Sequence, residues 1–78
     1  MTREEMDQII YFEMDVVTAL CILANIQLAC RHPKHHGPGR KLAEDIGRSL
    51  QKEIAKLVPG EAAIMEMGWN PDFDIKDS

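Results

Sequence analysis

The stretch MTREEMDQIIYFEMDVVTALCILANIQLACRHP, residues 1–33, decides how this chain is read. It holds no glycine, and no proline before Pro33. Its opening TREE is a capping box: the Thr2 hydroxyl can accept from the Glu5 backbone N–H while the Glu5 carboxylate reaches back to the N–H of Thr2. Glu4, Glu5 and Asp7 complement the positive end of a helix dipole there. A proline pushes its preceding residue out of the α region. The stretch therefore predicts one helix over residues 2–31, ~45 Å long. That is unusually long for a chain of 78 residues.

Two apolar stripes run along it. Met6, Ile10, Met14, Val17, Cys21, Ala24 and Leu28 follow strict 4-3-4-3 spacing. Ile9, Phe12, Val16, Ala19, Leu23, Ile26 and Cys30 form a second stripe displaced around the axis, and Leu20 and Ile22 fill in between. A surface helix needs only one such stripe, so this helix is expected to be covered on two sides. Asn25 and Gln27 lie in the apolar half, where single polar residues can set helix register. Glu13 or Asp15, if buried beside a stripe, would carry a raised pKa.

Downstream, a turn over residues 32–39 leads to a second amphipathic helix over 40–58, with Leu42, Ile46, Leu50, Ile54 and Val58 on one face. Gly47 costs ~1 kcal/mol against alanine inside a helix, which points to a close approach at that position. Glu44 and Arg48 stand at i,i+4, a favourable pair. Pro59 ends the second helix. A short third helix is expected over 60–67, with Gly68 past its end and Trp69 folding back on Ile64 or Met65. A tail covers 68–78, with a turn at Asn70-Pro71-Asp72, Phe73 and Ile75 as anchors, and fraying at the last residues. The fold class is all-α: one domain over 1–78, a long helix and a shorter antiparallel one forming a helical hairpin, then a short helix.

A chain this size buries only ~60–65% of its unfolded surface, so added stabilisation is expected. Disulfides do not supply it. Cys21 and Cys30 on one helix stand roughly 13 Å apart along the axis and on opposite sides, too far for a bridge. Both read as reduced, which suits the cytoplasm. The start MTREEMDQ is acidic where a secretory leader is basic. The apolar run from Val16 to Cys30 is shorter than the ~20 residues a membrane span needs. Oligomerisation remains: two copies packing helix 1 against helix 1 would form a four-helix-type bundle.

The formal net charge is −4, which argues against bulk affinity for nucleic acid or anionic membrane. RHPKHHGPGRK, residues 31–41, departs from this with four fixed positive charges and no acid. Arg31, His32 and Lys34 suit the negative end of the first helix. Arg40 and Lys41, at the positive end of the second, are not explained by the dipole. Arg31, Lys34, His35, His36, Arg40 and Lys41 are thus the candidate partner- or anion-binding residues, for an acidic tail or a phosphate. His32, His35 and His36, with Cys30, are candidate metal ligands, but their spacing matches no zinc pattern. No nucleophile–base–orienter set is visible, and Ser49 has no evident base. Met6, Met14, Met65 and Met67 read as core filler before an adaptable surface. The expectation is a non-enzymatic interaction module without a cofactor, acting as an adaptor, regulator or inhibitor. Its partner is a second copy of itself or another protein. The alternatives are a regulator contacting phosphate or nucleic acid through the basic turn, and a metal-binding role for its histidines.

Overall fold

The computed structural model describes residues 1–70. Of these, 73% are helical and none lies in a strand. Four α-helices follow one another: α1 (Arg3–Met6), α2 (Val16–Arg31), α3 (Pro38–Leu57) and α4 (Pro59–Glu66), the last continued by a 3-10 turn, Met67–Trp69. The expected turn at residues 70–72 and the anchors Phe73 and Ile75 lie outside the described residues.

The single helix expected over 2–31 is two helices with a non-helical segment between them. The capping box forms as anticipated, with Glu5 N–H donating to Thr2 Oγ1 and Thr2 N–H to Glu5 Oε1. It supports only one turn. Residues 8–15 are non-helical and fully exposed. Three causes combine. Ile9-Ile10-Tyr11-Phe12 is a run of β-branched and aromatic residues that lose χ1 freedom in a helix. Asp15 caps α2, its Oδ1 accepting from Thr18 N–H at 2.7 Å, and restarts the helix there. Finally, α3 gives out at Leu57, which shares a small cleft with Met14, Asp15 and Val16. A helix extending N-terminal of Val16 would have nothing to lie on, and short uncovered helices are marginal in water.

Ala19, Leu23, Ile54 and Ala62 form the buried centre, with Leu20, Leu50, Ala55, Val58, Met65 and Trp69 packed around it. Ala19 and Leu23, early in α2, thus meet Ile54, late in α3, while Ile26 lies over Gly47 at the middle of α3. The second apolar stripe of α2 is the internal one: Ala19, Leu23 and Cys30 are buried, Val16 and Ile26 half-buried or facing α3. Gly47 has the close approach its presence implied. A Cβ there would stand 2.6 Å from Trp69 Cη2 and 2.9 Å from Ile26 Cγ2.

Residues 32–37 connect α2 to α3. Gly37, the N-cap of α3, has φ 87° and ψ −163°, a region essentially reserved for glycine. Pro38 occupies the first helical position, so α3 begins two residues earlier than the sequence suggested. The radius of gyration is 14.3 Å, against ~11 Å for a compact chain of this length. No helix among the described residues is long and apolar enough to cross a membrane.

Candidate functional site

Three surfaces carry chemistry or unspent apolar area: the turn between α2 and α3, the outward side of α2 with its N-terminal segment, and the α3–α4 face.

The turn keeps its basic character but not its unity. Lys34, His36, Arg40 and Lys41 are exposed, Arg31 and His35 half-buried. Lys41 pairs with Asp45 one helical turn on, at 2.8 Å. That hydrogen bond and the Asp45 charge raise the Lys41 pKa. Neither Lys34 nor Arg40 forms an ion pair within the described residues. His32 spends its Nδ1 locally, accepting from Lys34 N–H at 3.1 Å, while His35 N–H donates to the His32 carbonyl. Cys30 is buried in α2, and burial, with the Glu44 charge, pushes its thiol pKa up. A buried protonated thiol and a committed imidazole make a poor ligand set. Among the described residues no three His, Cys, Asp or Glu side chains converge on a metal position.

The first apolar stripe of α2 faces away from α3. Val17, Cys21 and Leu28 are exposed and Ala24 half-buried. Asn25 is exposed beside them and donates to the carbonyl of Cys21 in its own helix, so it does not act as a buried register residue. Beyond Val16, Ile9, Ile10, Tyr11 and Phe12 stand bare, Ile10 at 86% and Tyr11 at 88% exposure. Asp15, expected to have a raised pKa if buried, instead has a lowered one, because the Thr18 hydrogen bond stabilises its carboxylate. Where α2 nears the turn, an open groove of about 310 Å³ lies between it and α4, lined by Ala24, Leu28, Ile64, Met65 and Met67, with Arg31 at the rim.

The α3–α4 face is organised by Gln51, a residue that drew no notice in the sequence. Its amide donates to Glu66 Oε2 at 2.8 Å and to the Ala62 carbonyl at 3.2 Å, and accepts from Trp69 Nε1 at 2.5 Å. Arg48 donates to Glu66 Oε1 at 2.7 Å and lies 4.5 Å above the Trp69 ring. It does not pair with Glu44 as the i,i+4 spacing implied. The Arg48 hydrogen bond lowers the Glu66 pKa, assisted by Gln51. Trp69 accordingly packs on α3 at Gly47, not only along its own helix, and Gly68 sits in the 3-10 turn, not in a left-handed cap. Gln27, 3% exposed, holds α4 from the other side by donating to the Met65 carbonyl. The groove beside Gln51 measures about 400 Å³. One signal could have revealed Gln51: it stands in line with Gly47 and Ile54 on the apolar face of α3, a polar residue where a hydrophobic one is due.

The fold defines an all-α chain whose polar network ties α4 to the α2–α3 pair and whose outer α2 face stays bare. No protein-family model, no curated protein and no solved structure matches it.

Proposed function

We propose that this chain is a small, non-enzymatic protein–protein interaction module, an adaptor, regulator or inhibitor. In this reading α2 and α3 form an antiparallel helical hairpin that pairs with a second copy into a four-helix bundle in the cytoplasm. One observation carries the reading: α2 has a second, outward apolar stripe, Val17, Cys21, Ala24 and Leu28, at the spacing of a helix–helix seam. The stripe is symmetric in its spacing. An antiparallel pairing about a two-fold axis sets Val17 against Leu28 and Cys21 against Ala24 of the second copy, an isologous contact. The small side chains at its centre favour close approach. A free, exposed Cys21 thiol suits a reducing compartment.

Light scattering tests this reading. The wild type is expected at twice its 8.8 kDa chain mass at micromolar concentration. Cys21→Glu, which places a charge on the seam but not in the core, is expected to return the mass to one chain with the helical circular dichroism unchanged. A single-chain mass for the wild type overturns the reading.

The phosphate- or nucleic-acid-contacting alternative has less behind it. Of the four cations in residues 31–41, Lys41 is engaged by Asp45. Trp69, the one tryptophan, has its ring packed at Gly47 and under Arg48 and its N–H on Gln51, so it is committed inside the fold and not offered as a base-stacking platform.

A further inference from the structure

We propose that residues 3–15 are an exchanged arm, laid across the basic turn and the α2–α4 groove of a second copy of this chain. The inference rests on the dimeric reading above and names the element that completes it.

Apart from Asp15, which caps α2, and Met14 beside Leu57, the arm has little to do within the described residues. No residue of α1 is buried, and residues 8–15 are non-helical and exposed. Four consecutive apolar side chains, Ile9 to Phe12, leave roughly 600–700 Å² bare, at ~150–250 Å² for each large side chain. Two arms and the surfaces they cover come to on the order of 2,000 Å², the area of a stable protein interface. The α2 stripe alone, four side chains per copy with two of them small, falls short of that.

Charge selects where the arm goes. Glu4, Glu5, Asp7, Glu13 and Asp15 give the arm five acids against Arg3 alone. Residues 31–41 carry Arg31, Lys34, Arg40 and Lys41 and no acid, Lys41 being shared with Asp45 just beyond them. Asp7 and Glu13 bracket the apolar run, and Arg31 joins Leu28, Met65 and Met67 in lining the apolar groove next to the turn. Within one chain these complementary surfaces sit at opposite ends of α2, ~24 Å apart. The two-fold pairing of Val17 with Leu28 brings each arm to the other copy's turn. Residue 14 then lies opposite the second copy's residue 31. From there an extended arm has ~30 Å of reach: it runs past residue 31 over the turn and folds back along the α4 side of the groove, at Ile64, Met65 and Met67, since Ala24 and Leu28 themselves face Cys21 and Val17 of the second copy.

Carbodiimide cross-linking, which joins carboxylates directly to amines, tests the placement on the full chain. Labelled and unlabelled chains are unfolded together, refolded, cross-linked, and read by peptide mass. The expected product is an isotopically mixed peptide joining Glu4, Glu5, Asp7 or Glu13 to Lys34 or Lys41. Ile10→Ser/Phe12→Ser, which touches no core residue, is expected to keep the helical signal and weaken dimerisation at least tenfold. If the dimer forms but the arm cross-links only within its own chain, or not at all, the exchanged arm is wrong and the dimer stands. Mixed cross-links from Asp72 or Asp74 in place of the arm, or an unweakened double variant, overturn the arm in the same way. A single-chain wild-type mass removes both.

Discussion

Residues 2–15 and 16–31 continue the same apolar spacing, the second more densely than the first, and only the second half is a continuous helix. Each half begins with a good cap, Thr2 with Glu5 in one and Asp15 on Thr18 in the other. What separates them is cover. Ala19 and Leu23 land on Ile54 and Ala62, whereas nothing among the described residues covers Ile9, Ile10 or Phe12. Most helical stability in proteins comes from packing an amphipathic face, not from propensity. An apolar stripe therefore states a demand for a partner, and here one half of it is met within the chain and the other is not.

Leu23→Ala against Ile10→Ala is the sharpest way to test that contrast. Leu23 is fully buried, and its truncation is expected to cost ~2–5 kcal/mol, enough to unfold so small a domain. Urea titration of the helical signal reads it. Ile10→Ala removes a comparable side chain from the arm, and is expected to leave that transition unmoved for the single chain while shifting the monomer–dimer balance. Equal destabilisation of the single chain by both would mean that the arm packs on its own body.

Gln51→Leu probes the next level, the tie between α3 and α4. It takes the acceptor from the Trp69 N–H and a donor from Glu66 Oε2, an expected cost of ~1–3 kcal/mol. The loss should be local: faster amide exchange across α4 and red-shifted Trp69 emission, with α2 protected as before. A change spread evenly over α2 would contradict the division into a body and an attached α4.

Acid gives the smallest effect. The Arg48 hydrogen bond holds the Glu66 pKa below its ordinary 4.5 in the folded chain. Its contribution is complete above the unfolded value and disappears as pH falls through the lower folded value. Both partners are more than a third exposed, so solvent screening limits the pair to about half a kcal/mol. Trp69 emission should titrate in the acid range in the wild type and lose that step in Glu66→Gln.

Helix content, the stop before Pro33 and the demand for close packing at Gly47 were legible in the sequence, because each depends on residue types acting locally, whereas the sequence places the entry to α3 at Arg40, two residues after the Gly37-Pro38 start the structure has. The basic turn was legible too, and most of its side chains stand exposed. The restart at Asp15 was legible in principle, as an acid directly before an apolar run, but the uninterrupted stripe argued for continuity. The polar network was less so. Arg48 has Glu44 at helical spacing and chooses Glu66, and Gln51 reads as an ordinary polar residue until Trp69 and Glu66 arrive beside it.

By itself, then, the sequence determined where helices can start and stop, since caps, prolines and glycines act over three or four residues. Tertiary structure alone decided which α2 stripe became core, that nothing among the described residues covers Ile9 to Phe12, and which partners Arg48, Gln51 and Trp69 take. Those outcomes depend on where a short α3 ends and how α4 folds back, and so on free energies of burial that no local window contains.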